Sequence, residues 1–364
     1  MRPAGAIGGI RLLTYVAVIL YLATYESPLA TEPVMPFPPR FIARFIARFI
    51  ARFIARFIAR FIARFIARFG RPLLFAACAF ACGASFAAEP LSGTLEKIRQ
   101  SNLISIGHRE TSVPFSYVDA NGKVIGFSQD LCDRVIAAVK ARIGKPDLQV
   151  RFIPVTSQNR IPLVQNGTVD LECGVTTNLA ARHAQVAFST TFFVATTRLL
   201  TRTSSGIRDF PDLAGKTVVT NQGTTSERLL RRMNEERKMN MQIISAKDYG
   251  EGRLTLESGR AAAYMMDDVL LAGVRQLAAK PADWQIVGTP QSSEAYGFML
   301  RKDDPQFKAL VDGVLVQSMK RGEIDALYDR WFMKPVPPKG LAFDFPMSDV
   351  IKARYAAPND APLE

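Results

Sequence analysis

LISIGHR (103–109), SQDLCDRVIAAVKARIG (128–144) and LQVRFIPV (148–155) follow one another closely along the chain. The first is a short apolar run of strand length. The second spaces its apolar residues at helical intervals and stops at Gly144, the residue type that ends helices most easily. The third is again a strand, rich in β-branched residues. Between the first strand and the helix, YVDANGKVIGF (117–127) reads as a hairpin turned at Asn121-Gly122.

The pattern continues outward. RIPLVQNG (160–167) is a short helix ended at Asn166-Gly167, and VDLECGV (169–175) is a strand. KTVVTNQG (216–223), a helix after Thr224, MQIIS (241–245), RAAAYMMDD (260–268) and WQIVG (284–288) extend the alternation. Strands alternating with helices imply an α/β architecture, and the length from Pro90 onward suits two domains. In such sheets ligands bind beyond the carboxyl ends of strands, near helix N-termini. The candidate positions are therefore Arg109, Thr156-Ser157-Gln158-Asn159-Arg160, Thr176-Thr177, Gly223-Thr224-Thr225-Ser226 and Asp267-Asp268.

The formal net charge of +13 points first to a polyanionic partner. Its location removes that reading. Residues 1–88 hold 11 Arg, no Lys and two Glu, so 35 basic and 31 acidic groups remain for residues 89–364. The body mixes both signs, with no lysine-rich run and no aromatic ladder, and nucleic-acid binding is not expected.

The basic excess comes from RFIA, repeated seven times from Arg40 and ending at Gly70. Each unit turns an ideal helix by about 400°, so the arginines spiral by about 40° per unit and no apolar face forms. The repeat reads as a tandem duplication in a leader. An apolar run, LLTYVAVILYLATY (12–25), precedes it. After it, RPLLFAACAFACGASFAAEP (71–90) has the basic, apolar and small-residue parts of a secretory signal. Ser85-Phe86-Ala87 fits the cleavage rule, so residues 1–88 are expected to be removed and the mature chain to start near Glu89. The protein is then expected in the periplasm.

Cys132 and Cys173 are the cysteines of the body. In an exported protein they have the option of one disulfide, which sequence does not decide. With His108 and His183 as its two histidines, the chain resembles no metal site, and no cofactor is expected. There is no G-x-S-x-G, H-E-x-x-H, Walker loop or C-x-x-C. His108 should face away from whatever Arg109 faces. Structural or surface roles suit both histidines.

Gly223-Thr224-Thr225, between strand and helix, offers an anion cradle of free N–H groups and hydroxyls. A Thr N-cap accounts for it equally well. Arg109, Arg160 and Arg182 are three permanent cations at or near strand ends, able to grip carboxylates in bidentate fashion. A single arginine is usually a solvated one; three at cleft positions are harder to dismiss. Asp267 offers the opposite charge, suited to an ammonium group, or else a helix cap. Together these groups describe a site for an amino acid. A dicarboxylic one would use all three arginines.

GHRETSVPFSYVDANGKVIGFSQDLC, TSQNRIPLVQNGTVDLECGVTTN, GTTSE, MNMQIISAKD, TLESGRAAAYMMDD and EAYGFMLRKDDPQFK, in that order, closely resemble periplasmic amino-acid-binding proteins of family 3. The resemblance covers about residues 95–360, and the acidic-amino-acid binders of ABC importers are nearest. It implies a two-lobed type II periplasmic binding-protein fold, each lobe a mixed sheet flanked by helices. Lobe 1 would comprise 90–197 and 296–364, and lobe 2 would comprise 198–295. TTRLL (196–200) and YGFML (296–300) would cross between them as a hinge.

The implied function is non-catalytic. A monomeric receptor would close over L-glutamate or L-aspartate and dock on an inner-membrane ABC permease. Carried over by motif, Arg182 and the Thr177 backbone would hold the α-carboxylate and Asp267 the α-ammonium. Arg109, Ser157 and Arg160 would hold the side-chain carboxylate, with Thr224 and Thr225 contributing from lobe 2. The alternatives are a receptor for another polar amino acid and a dehydratase-like enzyme on the same scaffold, with Asp267 or Glu294 as its acid.

Two positions depart from the pattern of acidic-amino-acid binders. AKDYG places Tyr249 where they have histidine, and ECGVTTN places Val175 where they have serine. A hydrogen bond lost to a charged group costs about 1.5–3 kcal/mol, or one to two decades of affinity. These positions therefore bear on affinity and on the glutamate–aspartate preference, while the arginines keep an anionic ligand the expectation. Phe298 stands where the family has a cysteine, so Cys173 stays free or pairs with Cys132.

Overall fold

A computed structural model describes residues 90–363, apart from Lys339, together with Arg56 and Arg60, both helical. The apolar run, the signal sequence and the rest of the RFIA repeat lie outside the described residues. The chain forms two compact units, Met1–Ala88 and Glu89–Glu364, and the elements that follow belong to the second.

Its first elements are α1 (Gly93–Ser101), β1 (Leu103–His108), β2 (Thr111–Ser112), β3 (Ser116–Val118), β4 (Val124–Ile125), α2 (Phe127–Ile143), β5 (Gln149–Pro154), α3 (Arg160–Gln165), β6 (Leu171–Thr177), β7 (Val186–Phe188) and β8 (Phe193–Arg202). There follow β9 (Thr217–Asn221), α4 (Thr225–Glu236), β10 (Gln242–Ala246), α5 (Tyr249–Glu257), β11 (Ala263–Asp267), α6 (Asp268–Leu277), β12 (Trp284–Val287) and β13 (Ser293–Arg301). Helices α7 (Pro305–Lys320), α8 (Glu323–Tyr328) and α9 (Asp349–Ala356) complete the order. The elements expected from the sequence are present. Helix α2 ends at Gly144 with φ +70°, and the 117–127 hairpin turns at Gly122 with φ +75°. There the Asp119 carboxylate accepts from the Asn121 and Lys123 amides.

The large sheet runs β10-β9-β11-β8-β13-β6-β1-β5, with β12 on β8 and β7 on β13. β5, β1 and β6 are parallel neighbours, as are β10, β9 and β11. These two parallel sets meet through β8 and β13, which pair antiparallel over Phe193–Thr196 and Ser293–Tyr296. β8 then continues antiparallel along β11, and β13 along β6. Each set has the carboxyl ends of its parallel strands at a helix start, where site residues are expected.

Burial follows from this layering. All seven residues of β6 are buried, as are all five of β11, since helices cover both faces of parallel strands. Cys132 on α2 and Cys173 on β6 form a disulfide, with Cα atoms 6.0 Å apart. It ties the helix to the strand that carries Thr176 and Thr177. Phe298 fills the core against Phe192, their ring centroids 4.7 Å apart. No described helix is long and apolar enough to cross a membrane.

Candidate functional site

The three arginines predicted at strand ends are all buried. Arg109 follows β1, and its Nη1 donates to Ser157 Oγ at 3.1 Å. Its guanidinium lies 5.4 Å from the centre of the Tyr249 ring, close enough for a cation–π contact. Arg160 opens α3, and its Nη1 donates to Thr176 Oγ1 at 2.6 Å and to the Val175 carbonyl at 3.2 Å. Val175 thus serves the site through its backbone. Arg182 closes a short 3-10 turn and donates to the Thr177 carbonyl at 2.7 Å.

Burial lowers the pKa of Arg160, and Glu172 opposes that shift. Burial, and then the Arg160 charge, bring Arg182 down to about 9. Arg182 therefore stays protonated at neutral pH, and with the other guanidinia it makes a concentrated positive potential shielded from water.

The other wall comes from α4, α5 and β11. Thr224 is the N-cap of α4: its hydroxyl accepts from the Glu227 amide at 3.1 Å and donates to the Asn221 carbonyl at 2.7 Å. The cap reading of this residue is therefore realised. Thr225 donates to Glu294 Oε2 at 2.9 Å. The Gly223 amide is taken by Glu227 Oε2, leaving the first-turn amides of Thr225 and Ser226 without an intrahelical acceptor.

Asp267 occupies the N-cap position of α6 but makes no capping bond. Its carboxylate accepts instead from Ser226 Oγ at 3.3 Å and from the Tyr296 hydroxyl. Burial, and next the Glu294 charge, push its pKa up to about 8. A buried carboxyl beside a second carboxyl, with hydroxyls as its bonded partners, is short of a cation.

Ser157, Arg160, Val175, Thr177, Thr224, Thr225, Tyr249, Met266 and Asp267 enclose one cavity of about 10 Å³. That is room for the centre of about one water molecule, so an amino acid enters only if the walls separate. Arg109 and Arg182 do not line it; each bonds a residue that does, Ser157 and Thr177. All nine sequence-derived candidates are thus brought to one place. His108 is not part of it: it packs edge-on against Phe152 and lines a different pocket with it. His183 stacks on Phe188 and bonds Asn178 Oδ1.

Sequence reasoning missed Glu172 and Tyr296 as part of the site, placed Ser226 at a candidate position without a role, and weighed Glu294 only as an acid catalyst. Strand alternation held the signal. Glu172, Gly174 and Thr176 share one face of β6, and Glu294 and Tyr296 share one face of β13. Gly174 has a packing reason to be glycine. A Cβ there would stand 2.1 Å from Glu172 Oε1 and 3.1 Å from Arg109 Cγ. Among the described residues no group of His, Cys, Asp and Glu is arranged to hold a metal ion.

Comparison with known proteins agrees with this architecture. The chain is 58% identical over 275 residues to the glutamate/aspartate import solute-binding protein of Salmonella typhimurium, covering 75% of this chain and 91% of that one. It is 56% identical over 291 residues to the protein of the same name from Escherichia coli K12, covering 80% and 96%. An ancestral arginine-binding protein solved with glutamine bound superposes with a TM-score of 0.56 at 27% identity, covering 64% of this chain and 98% of that one. The fold is accordingly that of type II periplasmic binding proteins. Residues 104–334 match the family pattern itself, and the chain belongs to the bacterial extracellular solute-binding proteins, family 3.

Proposed function

We propose that this protein is the periplasmic receptor of an ABC importer for L-glutamate and L-aspartate. It captures the amino acid between two lobes and presents the closed complex to an inner-membrane permease. The observation that carries the reading is a small cavity served by three buried guanidinia and one buried carboxyl short of a cation. A dicarboxylic amino acid has the matching charges, two anionic groups and one ammonium. The relatives from Salmonella and Escherichia coli, named for glutamate/aspartate import, support the same ligand.

In this reading Arg182 and the Thr177 backbone take the α-carboxylate, and Asp267 takes the ammonium. Arg109, Ser157 and Arg160 take the side-chain carboxylate, and the start of α4 at Thr224 and Thr225 closes from the other lobe. Tyr249 shields the Arg109 side of the pocket. Lobe 1 is residues 90–197 with 296–364, and lobe 2 is 198–295. The crossings at 196–200 and 296–300 are the hinge; they lie on β8 and β13, which pair over 193–196 and 293–296. The leader through residue 88 directs export and is removed, and the receptor acts as a monomer without turnover.

Thermal denaturation tests the assignment. Ligand that binds only the folded state raises the melting temperature by mass action. Glutamate or aspartate is expected to raise it and leucine is not, with the amino acid recovered chemically unchanged. No shift with glutamate, aspartate, glutamine or asparagine would contradict the ligand class.

A further inference from the structure

Glu172 is fully buried on β6, on the same face as Thr176. Its Oε2 accepts from the Thr176 hydroxyl at 2.7 Å, and Thr176 Oγ1 in turn accepts from Arg160 Nη1 at 2.6 Å. Glu172 Oε1 and Arg160 Nε have no hydrogen-bond partner among the described residues. Arg109 approaches the same spot, since Glu172 Oε1 and Arg109 Cγ both crowd the Cβ position of Gly174. A buried carboxylate with one unbonded oxygen persists only beside compensating charge, and the cations at hand are Arg160 and Arg109.

We infer that Glu172 is the internal counter-charge of the side-chain carboxylate pocket. It holds Arg160 in place through Thr176, and its negative charge limits how strongly the pocket prefers a carboxylate over a carboxamide. The inference rests on the proposed function. In the ligand-free site Glu172 balances guanidinia that would otherwise repel each other in low dielectric. In the occupied site it repels the ligand's side-chain carboxylate, while an amide of the same shape feels little of that repulsion. Glu172 therefore exchanges some affinity for stability of the unliganded receptor. It touches no ligand itself and acts as a positioning residue.

The test is the ratio of Kd for glutamine to Kd for glutamate, measured by titration calorimetry. The α-carboxylate and ammonium are common to both ligands, so their contributions cancel. In Glu172→Gln the ratio is expected to rise tenfold or more, the scale of a unit charge removed at short range inside a protein. Glu172→Asp keeps the charge and should leave the ratio within threefold of wild type. A ratio in Glu172→Gln that is unchanged or lower overturns the inference, because a merely structural role weakens both ligands alike.

Stability without ligand supplies a second reading, useful if Glu172→Gln folds poorly. Glu172→Gln should lower the ligand-free melting temperature, or prevent folding. Adding Arg160→Gln should restore stability, since the pair is coupled. A double variant no more stable than Glu172→Gln alone overturns the counter-charge role. If the wild type binds neither glutamate nor glutamine, the proposed function fails, and this stability cycle still judges Glu172.

Discussion

Asp267 shows how a residue can sit at a structural position and decline the structural job. It stands at the N-cap of α6, yet its carboxylate turns to Ser226 and Tyr296. Its pKa is raised to about 8, so the ligand-free fold holds the proton and an unfolded chain would release it near 4. The folded state therefore binds more protons between those values, and stability falls as pH rises through that window, by up to about 1.4 kcal/mol per unit. Asp267→Asn should flatten this slope in ligand-free melting curves from pH 5 to 8. An ammonium ligand favours the ionised carboxyl, so binding at pH 7 should release a proton. Calorimetry in two buffers of different ionisation enthalpy reads that directly; identical apparent enthalpies would count against it.

Arg160 makes the complementary case. Arg160→Ala should weaken a dicarboxylic ligand far more than its amide counterpart, and equal losses would remove it from the side-chain pocket. These residues were legible in the sequence because each ends a readable strand or opens a readable helix. Glu172 and Tyr296 were harder to read, because strand alternation gives the face a buried residue shares but not what that face meets.

At the scale of elements, β6 carries most of the first wall. Its Thr177 carbonyl receives Arg182, its Val175 carbonyl and Thr176 hydroxyl receive Arg160, and the Cys132–Cys173 bridge fixes it to α2. The bridge spans 41 residues, a loop for which cross-linking stabilises by about 2–4 kcal/mol. Replacing both cysteines by alanine should lower the unfolding free energy by that amount while leaving ligand preference intact, checked by denaturant titration. The sequence left this pairing open because two cysteines on separate elements reveal nothing of their distance. The helices and strands themselves were legible, since Gly144, Asn121-Gly122 and Gly167 mark their ends by backbone chemistry that needs no tertiary context.

The turn before α4 bears on closure. Gly223 has φ +75°, and a Cβ there would come 2.8 Å from Gln158 Oε1 and 3.0 Å from the Ser157 carbonyl. The two walls thus meet where only glycine fits. Gly223→Ala should reduce ligand affinity by tenfold or more, read by calorimetry, with little change in the fold seen by circular dichroism. An unchanged affinity would show that the closed contact at this turn contributes nothing to binding.

Across the whole molecule, the two parallel strand sets joined by β8 and β13 place one wall of the cavity on each side of a pair of crossing strands. That arrangement was not readable from periodicity, because strand order depends on pairing between segments far apart in the chain. The alternating α/β pattern was readable, and so was the partition of charge. The arginines of the RFIA repeat inflate the net charge, while those lining or flanking the cavity are three single residues in a nearly balanced body. The central claim is that these three, with Asp267, select an acidic amino acid. Titration calorimetry of the purified protein with glutamate, aspartate, glutamine and leucine tests it most directly. Saturable binding of glutamate or aspartate at one site per chain is expected, with weaker binding of glutamine and none of leucine. Binding of leucine as tight as that of glutamate, or no binding of either acid, would contradict it.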